Sequence, residues 1–225
     1  MTGTPWHSAP LVALDLEGSG AQDREREAIL EIAAVPVIRS RPDLDNAYTT
    51  LVNPGRPIAK RPWISPGLTS ENLSAAPAIE AVEPDLAERL NGSYIVGHNI
   101  GVDWRLLHRR CPTIHPAGLI DTLRLARHLS TNTSNSNSNT SNGLSHLVAA
   151  HDLTSEVNRV ATGSQPHRAL WDAVAAALLL ASLIKQAWQA PPTIDELSAI
   201  AGPPHRNPPA TTAPDQPPLF GSKPM

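Results

Sequence analysis

An α/β domain with a mixed central sheet is the architecture this sequence predicts, on three observations. Short apolar runs of strand length come first, from Leu11 to Leu16, Ile29 to Ile38 and Ala47 to Val52. From Ala78 onward, strand-length runs alternate with segments of helical periodicity, the order expected when helices cover a sheet. Apolar residues make up 40% of the 225 residues, enough for a sizeable core. That core is aliphatic, since there are only one Phe and two Tyr, with five Trp supplying most of the aromatic bulk.

Each element has its own local reason. Leu11–Leu16 is short and apolar with one carboxylate inside it, as in a buried strand. Ile29–Ile38 reads as a second strand, and Ala47–Val52 as a third, closed by the turn residues Asn53-Pro54-Gly55. Between Ala78 and Leu90, Ile79, Val82, Leu86 and Leu90 recur at helical spacing. Ser93–Val96 is a further strand punctuated by Gly97. Val102–Leu107 opens a helix, and Ile120–Leu129 passes from strand to helix. Thr131–Asn142 holds only Ser, Thr and Asn, has nothing to bury, and reads as a mobile surface loop. Leu144–Ala150 is helical, and Arg168–Trp188 is the longest helical pattern.

Prolines crowd the chain after Ala190 and leave only Ile194–Ile200 as a plausible helix. The expected organisation is a flexible N-terminus at 1–9, a folded domain at 10–190 and a mostly disordered, Pro-rich tail at 191–225. The formal charge of −3 excludes a module that holds nucleic acid by bulk positive charge. A single cysteine, Cys111, excludes an internal disulfide and suits a reducing cytoplasm. No export signal is expected at Met1–Pro10, and the apolar run Ala173–Ala181 is too short to span a bilayer.

Carboxylates set in apolar surroundings carry the chemistry. Asp15 and Glu17 lie two apart on the first strand, so they project from the same face. Burying such a pair is costly without compensation, and hard divalent cations are the natural partners of clustered carboxylates. A solvated pair at a strand end is the plain alternative. Asp103 stands where a strand, a small-residue turn and a helix meet, and helix capping would also place it there. Asp172 heads the most apolar helix, five residues after His167, a side chain able to take a proton from water near neutral pH. An ordinary loop histidine is the alternative. His108, Cys111 and His115 match no common zinc spacing and read as surface residues. Arg124, Arg127 and Arg168 flank these segments, either as phosphate contacts or as solvated helix faces.

In order and kind, these segments resemble the DEDDh exonucleases, which include bacterial proofreading subunits, ribonuclease T and oligoribonuclease. Asp15-Leu16-Glu17-Gly18-Ser19-Gly20 resembles the family's Asp-x-Glu-Thr-Thr-Gly, and His98-Asn99-Ile100-Gly101-Val102-Asp103 its His-Asn-x-x-Phe-Asp. His167 to Ala173 matches His-x-Ala-x-x-Asp-Ala. The resemblance runs from about Leu11 to Ile184 and implies a ribonuclease H-like fold and a two-metal 3′–5′ exonuclease. It implies that Asp15, Glu17 and Asp172 hold one Mg²⁺ or Mn²⁺ and that Asp15 and Asp103 serve the second. His167 would be the general base, with Gly18, Ser19, Gly20, His98 and Asn99 beside the single-stranded 3′ end. Gly18 and Ser19 stand where the family has threonines, Val102 where it has Phe, and Pro66 where it has His in a His-Gly-Ile-Thr segment. DNA is the expected substrate, in proofreading or repair. The alternatives are RNA 3′-end trimming and a non-catalytic binding module on a degenerate exonuclease fold. In the tail, Gln216-Pro217-Pro218-Leu219-Phe220 resembles the short peptides that dock on the bacterial sliding clamp.

Overall fold

The computed structural model describes residues 3–131 and 142–203. Its centre is a mixed sheet built on β1 (Leu11–Gly18), which pairs antiparallel with β2 (Ile29–Ile38). The far edge of β2 takes two short strands, β3 (Arg41–Pro42) and β4 (Tyr48–Leu51). On the other side of β1 lie β5 (Tyr94–Gly97) and β6 (Gly118–Asp121), both parallel to their neighbours.

Strand alternation divides the core between the two faces. Leu11 and Ala13 of β1, with Ala33, Val35 and Val37 of β2, face α7 (Ala169–Ala187). Val12 and Leu14, with Ile32 and Ala34, face α2 (Ile79–Leu90) and α3 (Gly101–Arg110). The buried side of α7 is rich in alanine, with Ala169, Ala173, Ala176 and Ala177 all buried. Small side chains let the helix axis approach β1 and β2 closely, which brings the carboxylate of its first turn, Asp172, towards the sheet.

By length and composition the whole of α7 is apolar enough to cross a membrane, although its continuous apolar run is only Ala173–Ala181. Two-thirds of its most apolar window, 67%, is nevertheless buried inside the fold, as in a core helix.

Most expected elements occur within a residue or two of their expected limits. The additions are β3, the one-turn helix α1 (Ser70–Leu73) and α6 (Thr154–Val160). Helix α4 (Thr122–Thr131) follows β6 without a loop, and α5 (Leu144–Ala150) precedes α6. Asn158 of α6 accepts a hydrogen bond from the indole of buried Trp171 at 2.9 Å, which holds α6 to α7. Residues 132–141, most of the expected polar loop, and Gln216, Leu219 and Phe220 lie outside the described residues.

At both ends the packed unit reaches beyond residues 10 and 190. Trp6 is only 4% exposed, inside a 3-10 turn at Trp6–Ser8. Its N–H donates to Pro192 O at 3.0 Å, and Ile194 N donates to Thr4 O at 2.9 Å. Helix α8 (Ile194–Ala201) starts at Thr193 with a reciprocal cap between Thr193 and Glu196 and buries Ile194, Leu197 and Ala201. The expectation of a free N-terminus overlooked Trp6, a large apolar side chain with a surface to fill. Trp6→Ala is expected to cost about 3 kcal/mol of unfolding free energy. Denaturant titration would show this as a lowered midpoint with an unchanged slope; a loss under 1 kcal/mol would mean that the end is not anchored.

Candidate active site

The site forms where β1 outruns β5. Pairing between these strands ends at Ala13 with Val96, while β1 continues against β2 to Gly18. Beyond Ala13, the β5 side of β1 therefore has backbone groups with no strand to bond. Asp103, in the first turn of α3, fills this gap, its Oδ1 accepting from Leu16 N at 3.0 Å. The chain reaches α3 through Gly97, where a Cβ would lie 3.0 Å from Leu14 O and 2.5 Å from Ile100 Cδ1. It then passes through Asn99, whose φ of 62° is a left-handed conformation that Asn tolerates.

Asp15 and Glu17 share the α7 face of β1, opposite Ala33 and Glu31 of β2. A bulge at Glu17/Gly18 ends this regular register. Asp172 joins them from α7, and one carboxylate oxygen from each of the three lies within 4.8 Å of the others. Asp103 is not in this triad but stands close enough that its charge is the strongest carboxylate influence on Asp15.

The cleft favours protonated carboxyls. Burial, then repulsion from Asp103, Asp172 and Glu17, raises the pKa of Asp15 well above the carboxylate range. Glu17 is pushed up to about 7, chiefly by burial, against a hydrogen bond from Ser65 Oγ to its Oε2 at 2.9 Å. Burial takes Asp103 to about 7 and Asp172 to about 6. The backbone N–H of His167, and its imidazole when protonated, restrain Asp172. Among the described residues no Lys or Arg makes an ion pair with any of the four. A crowded, oxygen-only donor set without its own cation fits a hard divalent metal ion.

His167 is exposed just ahead of α7 with φ at 65°, a strained conformation for a residue with a Cβ. The strain is held by the next residue. Arg168 clamps Glu31 through Nε to Oε2 at 2.8 Å and Nη2 to Oε1 at 2.6 Å, and Ala169 N donates to Glu31 Oε2 at 3.3 Å. The Arg168 guanidinium is thereby engaged with β2 through Nε and Nη2. Arg124 and Arg127 remain exposed on α4.

The expected substrate-contacting residues divide. Gly18 follows Glu17 at the bulge, Gly20 is partly buried and Asn99 is exposed. Ser19 is fully buried: its hydroxyl accepts from Ala28 N at 3.0 Å and serves Asp23, itself gripped by Arg56 and Arg61. His98 is half-buried and bonded at both ring nitrogens, to Thr122 Oγ1 and Asn142 O, each at 2.9 Å. Their side chains brace the loops instead of facing the cleft. Val102, the residue before Asp103, is 52% exposed. Cys111 is buried and not a surface residue, while His108 stacks on Trp104, so no zinc trio forms.

Glu31 and Ser65 were missed as supports of the site. Glu31 left a trace, the only carboxylate in an otherwise apolar strand; Ser65 left none. Raised carboxyl pKa values stabilise the fold fully below the ordinary carboxylate range, and that stability is lost as pH rises through 6 to 7. Metal-free Asp15→Asn, which relieves the crowding, should therefore match wild type near pH 4. By pH 8 it should melt on the order of 5 °C higher. Parallel melting curves across that range would show that the carboxylates do not repel.

Known proteins share both the sequence and the shape. The family model described as Exonuclease, RNase_T, matches residues 12–180. The DNA polymerase III subunit epsilon-like protein of Rhodobacter capsulatus is 33% identical over 107 residues, 48% of this chain. The putative bifunctional exonuclease/endonuclease protein MT2247 of Mycobacterium tuberculosis is 32% identical over 186 residues, 78% of this chain. This chain spans only 15% and 26% of those two proteins, respectively. Among solved structures, Exonuclease X in complex with 5′ overhanging duplex DNA superposes with a TM-score of 0.61 at 26% identity, covering 84% of this chain and 99% of that one. The Exonuclease I fold is also similar, with a TM-score of 0.55 at 15% identity over 84% of this chain and 42% of that one. With an exonuclease family model covering most of its length and four carboxylates converging at the end of β1, the chain belongs to the DEDD 3′–5′ exonuclease family.

Proposed function

We propose that this chain hydrolyses single-stranded DNA from its 3′ end, releasing nucleoside 5′-monophosphates in proofreading or repair within the cytoplasm. The observation that carries the reading is the half-buried triad of Asp15, Glu17 and Asp172, with Asp103 beside it and His167 leading into the same helix. Two ions, Mg²⁺ or Mn²⁺, held by Asp15, Glu17 and Asp172 and by Asp15 with Asp103, would supply Lewis-acid polarisation of the phosphate and a water of lowered pKa. His167, exposed at the mouth, takes the proton of the attacking water. Asp172, whose carboxyl feels the charge of His167, stabilises the imidazolium that results. Ser65 and the N–H of Leu16 hold Glu17 and Asp103 in place. Gly18, Gly20 and Asn99 offer backbone close to the strand end.

DNA is favoured over RNA because the epsilon-like relative and the bound form of Exonuclease X are both named for DNA. Matched DNA and RNA oligonucleotides with Mn²⁺ test this directly. Mononucleotides should appear from DNA, stop with EDTA, and appear more slowly from RNA; the reverse order would make the chain an RNA-trimming enzyme, and binding without release a non-catalytic module. His167→Ala should cut turnover by about 10²–10⁴-fold while leaving the Mn²⁺-induced rise in melting temperature intact. Near-normal turnover would remove His167 from the mechanism.

We also propose, from sequence alone, that Gln216, Leu219 and Phe220 anchor the chain to a sliding clamp. Leu219→Ala with Phe220→Ala should abolish clamp binding in calorimetry without changing hydrolysis of short strands. No binding by the intact chain at tens of micromolar would end that idea.

A further inference from the structure

Among the described residues the two most buried carboxylates are not those of the cleft: Asp121 is 3% exposed and Glu27 4%. Asp121 is engaged by nearby backbone, its Oδ1 accepting from Asn99 N and Leu123 N, each at 2.9 Å. Glu27 is gripped by another element. Three arginines of α3 converge on it. Arg105 donates through Nη1 to Oε2 at 2.7 Å and through Nη2 to Oε1 at 3.2 Å. Arg109 Nη2 donates to Oε2 at 2.8 Å, and Arg110 Nε donates to the Glu27 carbonyl at 2.8 Å.

Glu27 is in turn fixed to the sheet. The next residue, Ala28, exchanges two bonds with Ser19: its N–H donates to Ser19 Oγ at 3.0 Å, and its carbonyl accepts from Ser19 N at 2.9 Å. Ile29 then pairs with Gly18, directly after Glu17. The carboxylate of Glu27 is therefore mounted on the end of β1 that bears Asp15 and Glu17, and it reaches across to the helix that bears Asp103. Apolar packing alone does not fix how that helix is turned. Leu106 and Leu107 bury α3, but hydrophobic contact is non-directional, whereas the arginine fork is directional. A roll of about 20° would carry a carboxylate about 5 Å from the helix axis by nearly 2 Å. That is enough to break the 3.0 Å bond between Asp103 and Leu16 N.

We infer that Glu27 is a positioning residue: held to the end of β1, it sets the roll of α3 through Arg105 and Arg109 and so keeps Asp103 in place as a metal ligand. The inference rests on the two-ion reading of the cleft. Glu27 acts through Asp103, so its loss should fall on the ion that Asp103 serves and on turnover, and should spare affinity for the strand.

The test is a double-mutant cycle on the full chain. Mn²⁺ binding is followed by calorimetry, with turnover of single-stranded DNA measured in parallel. Glu27→Gln should weaken one of the two Mn²⁺ binding steps about ten- to a hundred-fold, the range for residues that orient metal ligands, and lower kcat by a similar factor with KM within about threefold of wild type. Glu27→Asp keeps the charge and should recover part of both losses. On an Asp103→Asn background, Glu27→Gln should change neither Mn²⁺ affinity nor turnover further. A lowered melting temperature with unchanged Mn²⁺ binding would make the ion pairs purely structural and overturn the inference. An equal loss with and without Asp103 would also overturn it, because Glu27 would then act through its charge alone. If Glu27→Gln does not fold, Arg105→Ala, which leaves Arg109 and Arg110 on Glu27, carries the same cycle. Wild type that binds Mn²⁺ but releases no mononucleotides would overturn the exonuclease reading and, with the calorimetric cycle as expected, leave the role of Glu27 standing. No Mn²⁺ binding by wild type would overturn both.

Discussion

Carboxylates that repel one another in a half-buried cleft are the constraint on which the rest of this structure depends. Left to themselves, Asp15, Glu17, Asp103 and Asp172 would move apart or stay protonated, and their raised pKa values record that tendency. The fold holds them together through contacts that cannot yield singly. Asp15 and Glu17 are fixed by the pleat of a strand paired with β2, Asp103 by the unpaired N–H of Leu16, and Asp172 by a helix clamped to Glu31 through Arg168. The stored repulsion is a reserve of affinity for cations, because a bound cation relieves every pairwise repulsion at once.

The Glu31–Arg168 pair shows how support and chemistry share one region. Both oxygens of Glu31 are engaged by Arg168, which offsets part of its charge, and what remains still raises Asp15, Glu17 and Asp172. Placed opposite Glu17 across the β1–β2 register, an unpaired glutamate would add to the crowding. The same pair sets the entry of α7, and with it the strained backbone of His167. An arginine that reads as a phosphate contact in the sequence is spent on geometry.

Much of this was legible in the sequence, for identifiable reasons. The limits of β2 and α5 follow from periodicity, and the four carboxylates stand out because charge inside apolar runs needs an explanation. What was not legible depends on partners distant in sequence. Ser19 reads as a motif hydroxyl but is drawn into the core by Asp23 and Arg56, 37 residues beyond it. His98 reads as a cleft residue but is bonded by Thr122 and Asn142 from other elements. Proline content spoke for disorder at the ends, while Trp6, a lone large apolar residue, and the short apolar stripe Ile194, Leu197 and Ala201 decided the packing.

The bridge between Pro5 and Thr193 brings the first residues of the packed unit beside the start of α8, its last helix, near the start of β1. The carboxylates lie four to six residues along the same strand, about 13–20 Å away. Polypeptide therefore enters this unit, and turns into its last helix, at the end of β1 remote from the carboxylates. An entry strand and a last helix bonded to each other at that end lock the two terminal segments together without touching the carboxylates. Some relatives are many times longer than the segment they share with this chain.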